Sequence, residues 1–326
     1  MHSLEELLEL TTRFGESHPF PHTPAGLYEP CDYFIGIGGK RMRPAMLLMG
    51  YELFADDVER ALPLAWAVEL FHNFTLIHDD IMDAAPLRRG QPTVHTRWGQ
   101  TAAILSGDVM LIYAYNFLAE HADPHTLPQV LRAFNRTAIE VCEGQQMDMD
   151  FERQDEVAQS EYIRMITLKT AVLLGAALEM GAIAAGAQAP DTQRLRRFGE
   201  AAGVAFQIHD DLLDTFGDPA KFGKQVGGDI LQNKKTLLVI QALETASAED
   251  RAALRRWLSA PTPADPMEKI EAVKEIFVRN QIPQRVAEAQ KAWQERAFAY
   301  LDEVETPERR KTTLRNAVTA LFARTH

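Results

Sequence analysis

Cysteine is scarce in this chain of 326 residues, where only Cys31 and Cys142 occur. They form no Cys-x-x-Cys pair and no Cys/His spacing typical of zinc ligands, which argues against a disulfide framework and a zinc site. We expect two free, buried thiols in a reducing compartment. The first residues, MHSLEELLELTTRF, lack the basic and apolar regions of a signal peptide, so the sequence predicts a cytoplasmic protein.

Positive charge and long apolar runs are also in short supply. Lys and Arg number 34 against 46 Asp and Glu, giving a net charge of −12, which argues against a nucleic-acid-binding surface. The longest apolar stretch, AVLLGAALEMGAIAAGA (171–187), has 17 residues and contains Glu179. A stretch this short predicts a buried core helix, and no transmembrane segment is expected.

Alternating strands of β-branched residues do not stand out either. Apolar residues recur every three or four positions among strong helix formers. Pro and Gly interrupt this pattern at 17–26, 84–92, 121–128, 186–191, 215–229 and 259–266. No interruption is long enough for an interdomain linker, so we predict an all-α fold with a single domain over residues 1–326. A division into two domains is the alternative.

One acidic phrase occurs twice, as LIHDDIMD (76–83) and as QIHDDLLD (207–214). On an α-helix the three aspartates of DDxxD fall within an arc of about 100°. Carboxylates without His or Cys in that arc suit Mg²⁺, which binds through carboxylates and substrate phosphates. His78 and His209 point away from the arc, and we expect them to be packed or hydrogen-bonded. A solvated helix end is the alternative for a single copy, but two copies favour two helices that face each other across a cavity.

Basic segments, three of which contain glycine, accompany the two phrases. These segments are GIGGKRMRP, PLRRGQP, KFGKQVGGD and QNKKT. Their cations are Lys40, Arg43, Arg88, Arg89, Lys224 and Lys234. Arg offers a planar fork to phosphate and Lys a point charge. Beside carboxylates that suit Mg²⁺, these cations predict a diphosphate site, although GIGGKRMRP lacks the spacing of a P-loop.

The chain resembles the isoprenyl diphosphate synthases of the polyprenyl synthetase family over nearly its whole length. The motifs that carry the resemblance are GGKRMRP (38–44), ELFHNFTLIHDDIMDAAPLRRG (69–90), LKT (168–170) and FQIHDDLLDTFGDPAKFGKQVGGDILQNKKT (206–236). The resemblance implies a large helical bundle with a deep central cavity and usually a homodimer. It also implies a trans-prenyltransferase that joins isopentenyl diphosphate to an allylic diphosphate with about three Mg²⁺ ions per active site.

The resemblance also assigns roles to residues of this chain. The implied magnesium ligands are Asp79 and Asp83, supported by Asp80, and Asp210, with Asp211 and Asp214 acting through water. The implied ligands of the allylic diphosphate are Arg88, Lys169, Lys224 and Lys234. Those of isopentenyl diphosphate are Lys40, Arg43, His72 and Arg89. Thr170 and Gln207 would stabilise the allylic cation, although Thr170 could equally be a packing hydroxyl.

Helix geometry gives independent support to one of these roles, that of His72. His72 lies seven residues before Asp79, almost two helical turns, and therefore beneath the acidic face. Gln207 lies three residues before Asp210 and shares the second acidic face. The catalytic residues that the resemblance implies are Lys169, Thr170 and Gln207.

In this family the product length depends on the residues below the first acidic motif. Phe74 would sit about 7.5 Å below Asp79 and Phe71 about 12 Å below it. Three features resemble the synthases that make geranylgeranyl diphosphate (C20). They are Phe74 five positions before Asp79, the small Thr75 four positions before it, and the absence of an insertion in DDIMD. Farnesyl diphosphate (C15) is the second candidate for the product, and products of C25 or longer rank third. Ideal helix geometry points Phe74 away from the acidic arc, so its role comes from the resemblance, and plain core packing is the alternative.

Three other kinds of protein are weighed against this interpretation. A class I terpene cyclase shares the first acidic motif but not an intact second one with GGKRMRP. A metal phosphohydrolase is suggested only by the two His-Asp pairs. A non-catalytic subunit that tunes a partner synthase is disfavoured because both aspartate motifs are complete.

Overall fold

The computed structural model describes residues 1–217, 227–260 and 263–322. It is 78% helical with almost no strand, which confirms the all-α fold class. The capping of the first helix illustrates how the sequence sets a helix start. The Ser3 hydroxyl accepts from the Glu6 amide at 3.3 Å, and the Glu6 carboxylate accepts from the Ser3 amide at 2.7 Å, which completes a capping box.

The elements follow one another with short connections. Those of the first part of the chain are α1 (Leu4–Glu16), α2 (Ala25–Gly36), α3 (Met42–Glu52), a 3₁₀ turn (Val58–Ala61), α4 (Leu62–Met82), β1 (Leu87–Arg88), β2 (Gln91–Pro92), α5 (Val94–Trp98), α6 (Gln100–His121) and α7 (Leu127–Phe151). Then come α8 (Gln159–Ile166), a π turn (Thr167–Ala171), α9 (Val172–Ala184), α10 (Ala189–Phe216), α11 (Gly228–Leu231), α12 (Leu237–Thr245), α13 (Ala248–Ser259), α14 (Pro266–Arg279), α15 (Ile282–Asp302) and α16 (Glu308–Phe322).

The chain divides into two compact units. Unit 1 comprises residues 1–135, 176–195 and 305–314, and unit 2 comprises 136–175, 196–304 and 315–326. The prediction of one domain over residues 1–326 stays a prediction.

In unit 1, helix α4 packs against α6, α3 and α1. Its first half is almost wholly buried and supplies core side chains such as Trp66, Leu70 and Phe71. Its second half carries the first acidic motif. The packing of α4 therefore fixes the position of the residues at its C-terminal end.

In unit 2, one hydrophobic core joins α8, α10, α12, α14 and α15. Val204, Leu238, Phe277 and Val286 are among its buried side chains, and Tyr162 contributes a buried aromatic ring. Helix α10 places one face in this core and carries the second acidic motif near its C-terminal end. The two motifs thus belong to different units, each supported by its own packing.

The structure corrects two details of the sequence-based expectations. Both cysteines are free, as predicted, and Cys31 is buried, but Cys142 is exposed on α7, so the prediction of two buried thiols was wrong for it. The interruption at 84–92 contains the hairpin of β1 and β2, which the sequence pattern did not indicate. Two residues per strand are too few to produce a detectable alternation.

In the part of the chain that the structure describes, two helical stretches are long and apolar enough to span a membrane by length and composition alone. They are Gln100–His121 and Gln159–Ala184, whose apolar windows are 33% and 72% buried within the protein. Core helices of soluble proteins pass the same test, so it is weak grounds for a membrane span. The second stretch overlaps the apolar segment for which the sequence predicted a buried helix.

Candidate active site

The first acidic motif lies at the C-terminal end of α4. Asp79 and Asp80 are within the helix, and Asp83 is its C-cap residue, whose amide donates to the Asp79 carbonyl at 2.9 Å. The Asp80 side chain is only 2% exposed, whereas that of Asp79 is 21% exposed. Burial raises the pKa of Asp80, against the opposing effect of Arg88. The helical placement of the motif agrees with the prediction.

The hairpin after α4 brings Arg88 back onto this motif. Arg89 and Gly90 form its two-residue turn, and both have positive φ (53° and 76°), as a type I′ turn requires. The Arg88 Nε donates to both oxygens of Asp80, at 2.8 and 2.9 Å. Its Nη2 lies 3.5 Å from Asp79 Oδ2. Arg88 is therefore a counter-ion of the first acidic motif in this structure.

A second basic group of unit 1 contains His72, which lies on α4 about two turns before Asp79, and Arg43 of α3. The Arg43 Nη1 lies 3.0 Å from His72 Nε2. Burial, followed by the nearby arginines, holds the pKa of His72 well below its ordinary value. The imidazole is therefore neutral at pH 7, with Nε2 accepting from Arg43 and the proton on Nδ1. The structure thus brings together two residues that the sequence predicted for one diphosphate.

This basic group contains one buried carboxylate. Glu69 is 7% exposed, and its charge interacts with those of Arg41, Arg43 and Arg89. Within the described part of the chain, neither Glu69 Oε2 nor Arg43 Nε has a hydrogen-bond partner, although both atoms are buried. Three guanidinium groups around one carboxylate leave an excess of positive charge. Such a cluster suits an anion with several oxygens.

Arg89 reaches this group by lying against the glycine-rich loop before α3. A Cβ atom built on Gly39 would be 2.7 Å from Arg89 Nη1 and 2.8 Å from Nη2. Only a glycine allows the guanidinium to approach so closely. Lys40, the next residue, is exposed. The motif GGKRMRP and the hairpin arginines therefore meet within unit 1.

Below the acidic motif, α4 presents a row of aromatic contacts. The Phe74 ring lies 4.9 Å from the His78 ring and 5.6 Å from that of Phe71, measured between centroids. Phe71 in turn contacts Phe134 of α7 at 5.1 Å. Thr75 donates to the His72 carbonyl at 2.8 Å. Phe71 is buried and Phe74 only partly so, and the role of both in product length stays a prediction.

The histidines beside the aspartates were expected to be packed or hydrogen-bonded. His78 Nε2 lies 3.2 Å from the Ile104 carbonyl oxygen of α6. Its ring occupies the space where Gly107 lacks a side chain, since a Cβ there would be 2.3 Å from Nε2. This confirms the prediction for His78.

In unit 2, the second acidic motif lies entirely within α10. Asp211 is 5% exposed and is held from two sides. The Tyr162 hydroxyl of α8 donates to Asp211 Oδ2 at 2.5 Å, and Gln207 Nε2 donates to Oδ1 at 3.1 Å. Burial, and next the Asp229 carboxylate, raise the pKa of Asp211 to about 7. Asp210 is only partly buried.

The LKT motif occupies the π turn between α8 and α9. A π turn holds one residue more than an α-helical turn and is common at functional sites. Lys169 Nζ donates to Asp148 Oδ2 of α7 at 2.6 Å. Thr170 Oγ1 donates to Gln207 Oε1 at 3.4 Å. The structure thus brings together Thr170 and Gln207, as the predicted cation-stabilising pair requires.

Asp214 anchors the segment that leads to Lys234. Its Oδ2 accepts from the Asp229 amide at 2.9 Å, and its carbonyl oxygen accepts from the Gly227 amide at 2.6 Å. Lys234 Nζ lies 3.3 Å from Asp229 Oδ1. Lys224, the other lysine predicted here, lies outside the described residues.

The carboxylates can be compared with what a magnesium ion needs. Within the described ranges, no three His, Cys, Asp or Glu side chains form a group that could hold a metal ion by themselves. Mg²⁺ commonly binds through one or two carboxylates, several waters and substrate phosphates. In unit 1 the partly exposed Asp79 and the exposed Asp83 suit such an ion when it arrives with a diphosphate, and in unit 2 the partly buried Asp210 does so as well.

Sequence reasoning missed the residues that hold the predicted ones in place. Tyr162 and Asp148 bind predicted site residues that lie 49 and 21 positions away in sequence. Glu69 is the first residue of the motif at 69–90, but the sequence did not predict its burial among arginines. An acidic residue in the middle of an apolar helix segment, as in WAVELFHNF, was the one available signal for Glu69.

The comparisons with known proteins agree with this arrangement. The family model described as polyprenyl synthetase matches residues 24–276. The short chain isoprenyl diphosphate synthase of Methanothermobacter thermautotrophicus is 41% identical over 257 residues, covering 79% of this chain and 78% of that protein. The geranylgeranyl diphosphate synthase of Methanosarcina mazei is 42% identical over 222 residues, 68% of each chain. A crystal structure of a geranylgeranyl pyrophosphate synthase matches 99% of both chains with a TM-score of 0.95 at 41% identity. The chain belongs to the polyprenyl synthetase family.

Proposed function

We propose that the protein is a trans-prenyltransferase that condenses isopentenyl diphosphate with an allylic diphosphate, with geranylgeranyl diphosphate (C20) as the leading candidate for its product. The observation that carries the proposal is the pair of intact aspartate motifs, each on a helix and each accompanied by cations. Relatives that carry the name geranylgeranyl diphosphate synthase support the product assignment. A farnesyl or longer product is the alternative within the same family.

The basic group of unit 1 would bind isopentenyl diphosphate. Arg43, His72 and Arg89 are the proposed ligands, joined by Lys40 from the exposed loop. Arg43 has a buried Nε without a partner among the described residues, and a phosphate oxygen would satisfy it. The neutral His72 adds a donor at Nδ1 without adding positive charge.

The allylic diphosphate would be held by Arg88, Lys169, Lys224 and Lys234. Asp79 and Asp83, supported by Asp80, and Asp210, with Asp211 and Asp214 through water, would hold about three Mg²⁺ ions. When bound, these ions neutralise the negative charge that develops on the departing diphosphate.

The reaction then proceeds by ionisation, condensation and elimination. The allylic C–O bond breaks, and its electron pair leaves with the diphosphate. Thr170 and Gln207 direct their oxygen dipoles toward the positive carbon, the kind of preorganised stabilisation that lowers a barrier. The double bond of isopentenyl diphosphate forms the new C–C bond, and the released diphosphate takes the proton. Exclusion of water protects the cation.

Two further properties belong to the same proposal. We expect a homodimer, as the family implies, and a cytoplasmic enzyme. The exposed apolar side chains Ile104, Leu105 and Ile112 of α6 are compatible with contact to a second copy.

A product assay tests the proposal. The purified protein is incubated with Mg²⁺, labelled isopentenyl diphosphate and, separately, C5, C10 and C15 allylic diphosphates, and the dephosphorylated alcohols are sized. A dominant C20 alcohol is expected. A C15 or much longer alcohol would keep the reaction and overturn the C20 assignment.

Failure of the assay also has a defined meaning. No incorporation in any tube would overturn the proposal in favour of a terpene cyclase or a partner-dependent subunit. Release of phosphate or diphosphate without isopentenyl diphosphate would favour a phosphohydrolase. Activity that appears only after a second chain is added would identify the non-catalytic subunit.

A further inference from the structure

We propose that Tyr162 is a positioning residue of the reaction, whose hydroxyl holds the Asp211 carboxylate so that Asp211 fixes the orientation of the Gln207 side-chain amide. The inference rests on the proposed function, because it concerns Gln207, which that function assigns to the stabilisation of the allylic cation. It starts from three consecutive hydrogen bonds in unit 2. These bonds connect Tyr162 to Asp211, Asp211 to Gln207, and Gln207 to Thr170.

The first step is the contact between Tyr162 and Asp211. The tyrosine is 2% exposed, and its hydroxyl lies 2.5 Å from Asp211 Oδ2. A phenol hydroxyl next to a carboxylate oxygen at this distance is the donor of the hydrogen bond. A buried carboxylate oxygen that lost this donor would have to find another partner or rotate.

The second step is the selection of one end of the Gln207 amide. The two ends of a glutamine amide are nearly equal in shape, so its orientation is set by its hydrogen-bond partners. Asp211 has Oδ2 occupied by the tyrosine and offers Oδ1 as an acceptor. It therefore takes the Gln207 NH₂ group, at 3.1 Å from Nε2. The amide oxygen is left to face the other way.

The third step is the direction of that oxygen. Gln207 Oε1 accepts from Thr170 Oγ1 at 3.4 Å, on the π turn that also carries Lys169. With its oxygen turned away from Asp211 and toward Thr170, the amide presents the negative end of its dipole on that side. A negative dipole end stabilises a developing cation. A reversed amide would present its NH₂ group and oppose the same charge. Tyr162 thus acts on the reaction through two other side chains.

A double-mutant cycle tests this link. Tyr162→Phe keeps the ring in the core and removes only the hydroxyl, and Gln207→Leu removes the amide. We expect Tyr162→Phe to lower kcat about 10- to 100-fold, as loss of a supporting hydrogen bond does, while KM for both diphosphates changes less than about threefold. In the Gln207→Leu background, Tyr162→Phe should have no further effect on kcat. Fully multiplicative effects, or a Tyr162→Phe kcat within about twofold of wild type, would overturn the proposal.

A matched control separates this role from general loss of stability. Tyr51 is also buried, at 4% exposure, and its hydroxyl donates to Asp57 Oδ1 at 2.7 Å in unit 1. Tyr51→Phe removes the same kind of bond far along the chain from Gln207 and should keep the wild-type kcat. An equal loss of kcat in both variants would overturn the proposal.

A second variant keeps the test open if Tyr162→Phe does not fold. In Asp211→Asn, the new amide can accept from Tyr162 and donate to Gln207 Oε1, which reverses the Gln207 amide. Because Asp211 also belongs to the proposed metal-binding set, the test compares two backgrounds: we expect Asp211→Asn to lower kcat less in Gln207→Leu than in wild type, and a loss of equal size in both would contradict the proposed link. The wild-type product assay is read first. An inactive wild type counts against the proposed function, whereas an active wild type with an unaffected Tyr162→Phe counts only against this inference.

Discussion

The Arg88 guanidinium lies on the Asp80 carboxylate, with Nε 2.8 and 2.9 Å from its two oxygens. Asp80 is almost fully buried, and a buried carboxylate without a counter-ion would be costly. Asp79, one residue earlier, is more exposed and lies 3.5 Å from the same arginine. Neighbouring aspartates therefore have different surroundings, and the proposed function gives them different roles, with Asp79 as a metal ligand and Asp80 as its support.

Loss of either acidic motif should abolish turnover. Asp79→Ala and Asp210→Ala are each expected to lower kcat by about 100-fold or more, because charge stabilisation at the leaving diphosphate is lost. Both variants should fold, since neither side chain is fully buried. The measurement is incorporation of labelled isopentenyl diphosphate, with thermal unfolding as a check. Asp155→Ala, in the exposed segment between α7 and α8, is the control. Near-full activity in Asp79→Ala or Asp210→Ala would refute the assignment of that aspartate as a magnesium ligand.

Removal of the Phe74 ring should lengthen the product. Phe74→Ala opens space below the first acidic motif, and we expect a shift from C20 toward C25 and longer alcohols. The control is Phe14→Ala, which removes a partly buried ring that stacks on His18. Unchanged product length in Phe74→Ala would remove this residue as the determinant.

Gly39→Ala should weaken binding of isopentenyl diphosphate. The added methyl group would meet the Arg89 guanidinium at 2.7 Å and displace it. We expect KM for isopentenyl diphosphate to rise about tenfold, roughly 1.4 kcal/mol of binding energy, with little change in KM for the allylic substrate. Gly36→Ala is a matched control, because a Cβ there meets nothing within 4 Å. An equal rise in both KM values would contradict the assignment of Arg89 to isopentenyl diphosphate.

Acid should weaken one link of unit 2 in a defined pH range. Hydrogen bonds from Arg279 and Asn280 lower the pKa of Asp250 from 3.8 to about 2. Because the folded-state pKa is the lower one, Asp250 stabilises the fold above pH 3.8, and this contribution disappears as the pH falls toward 2. Asp250→Asn should therefore differ from wild type in thermal unfolding at pH 6 and converge with it near pH 2. A difference that stays constant with pH would refute the link.

Several features of the site could be predicted from sequence because they depend on local geometry. Asp210 and Gln207 share a helix, so their spacing alone places them on one face. The same holds for His72 and Asp79. Residue chemistry, with hard carboxylates beside cations, indicated the kind of ligand. These inferences needed no knowledge of how distant segments pack.

Other features could not be predicted because they depend on tertiary contacts. From sequence alone, Tyr162 is an ordinary core aromatic. Its contact with Asp211 exists only because α8 and α10 share one hydrophobic core. The Arg88–Asp80 pair depends on a two-residue turn in which Arg89 adopts a positive φ, a conformation that sequence patterns rarely reveal for arginine. The exposure of Cys142 likewise depends on which face of α7 packs inward.

The π turn at Thr167–Ala171 changes the direction in which the side chains of α9 point relative to those of α8. An α-helix advances about 100° per residue, and the extra residue of a π turn delays that rotation by one position. A helical wheel drawn without interruption through residues 159–184 would place every side chain of α9 about 100° away from its true direction relative to α8. Deletion of a single residue from the turn would restore the regular phase and turn the two helices against each other. The extra residue therefore sets the angular offset at which Lys169 and Thr170 leave the helix.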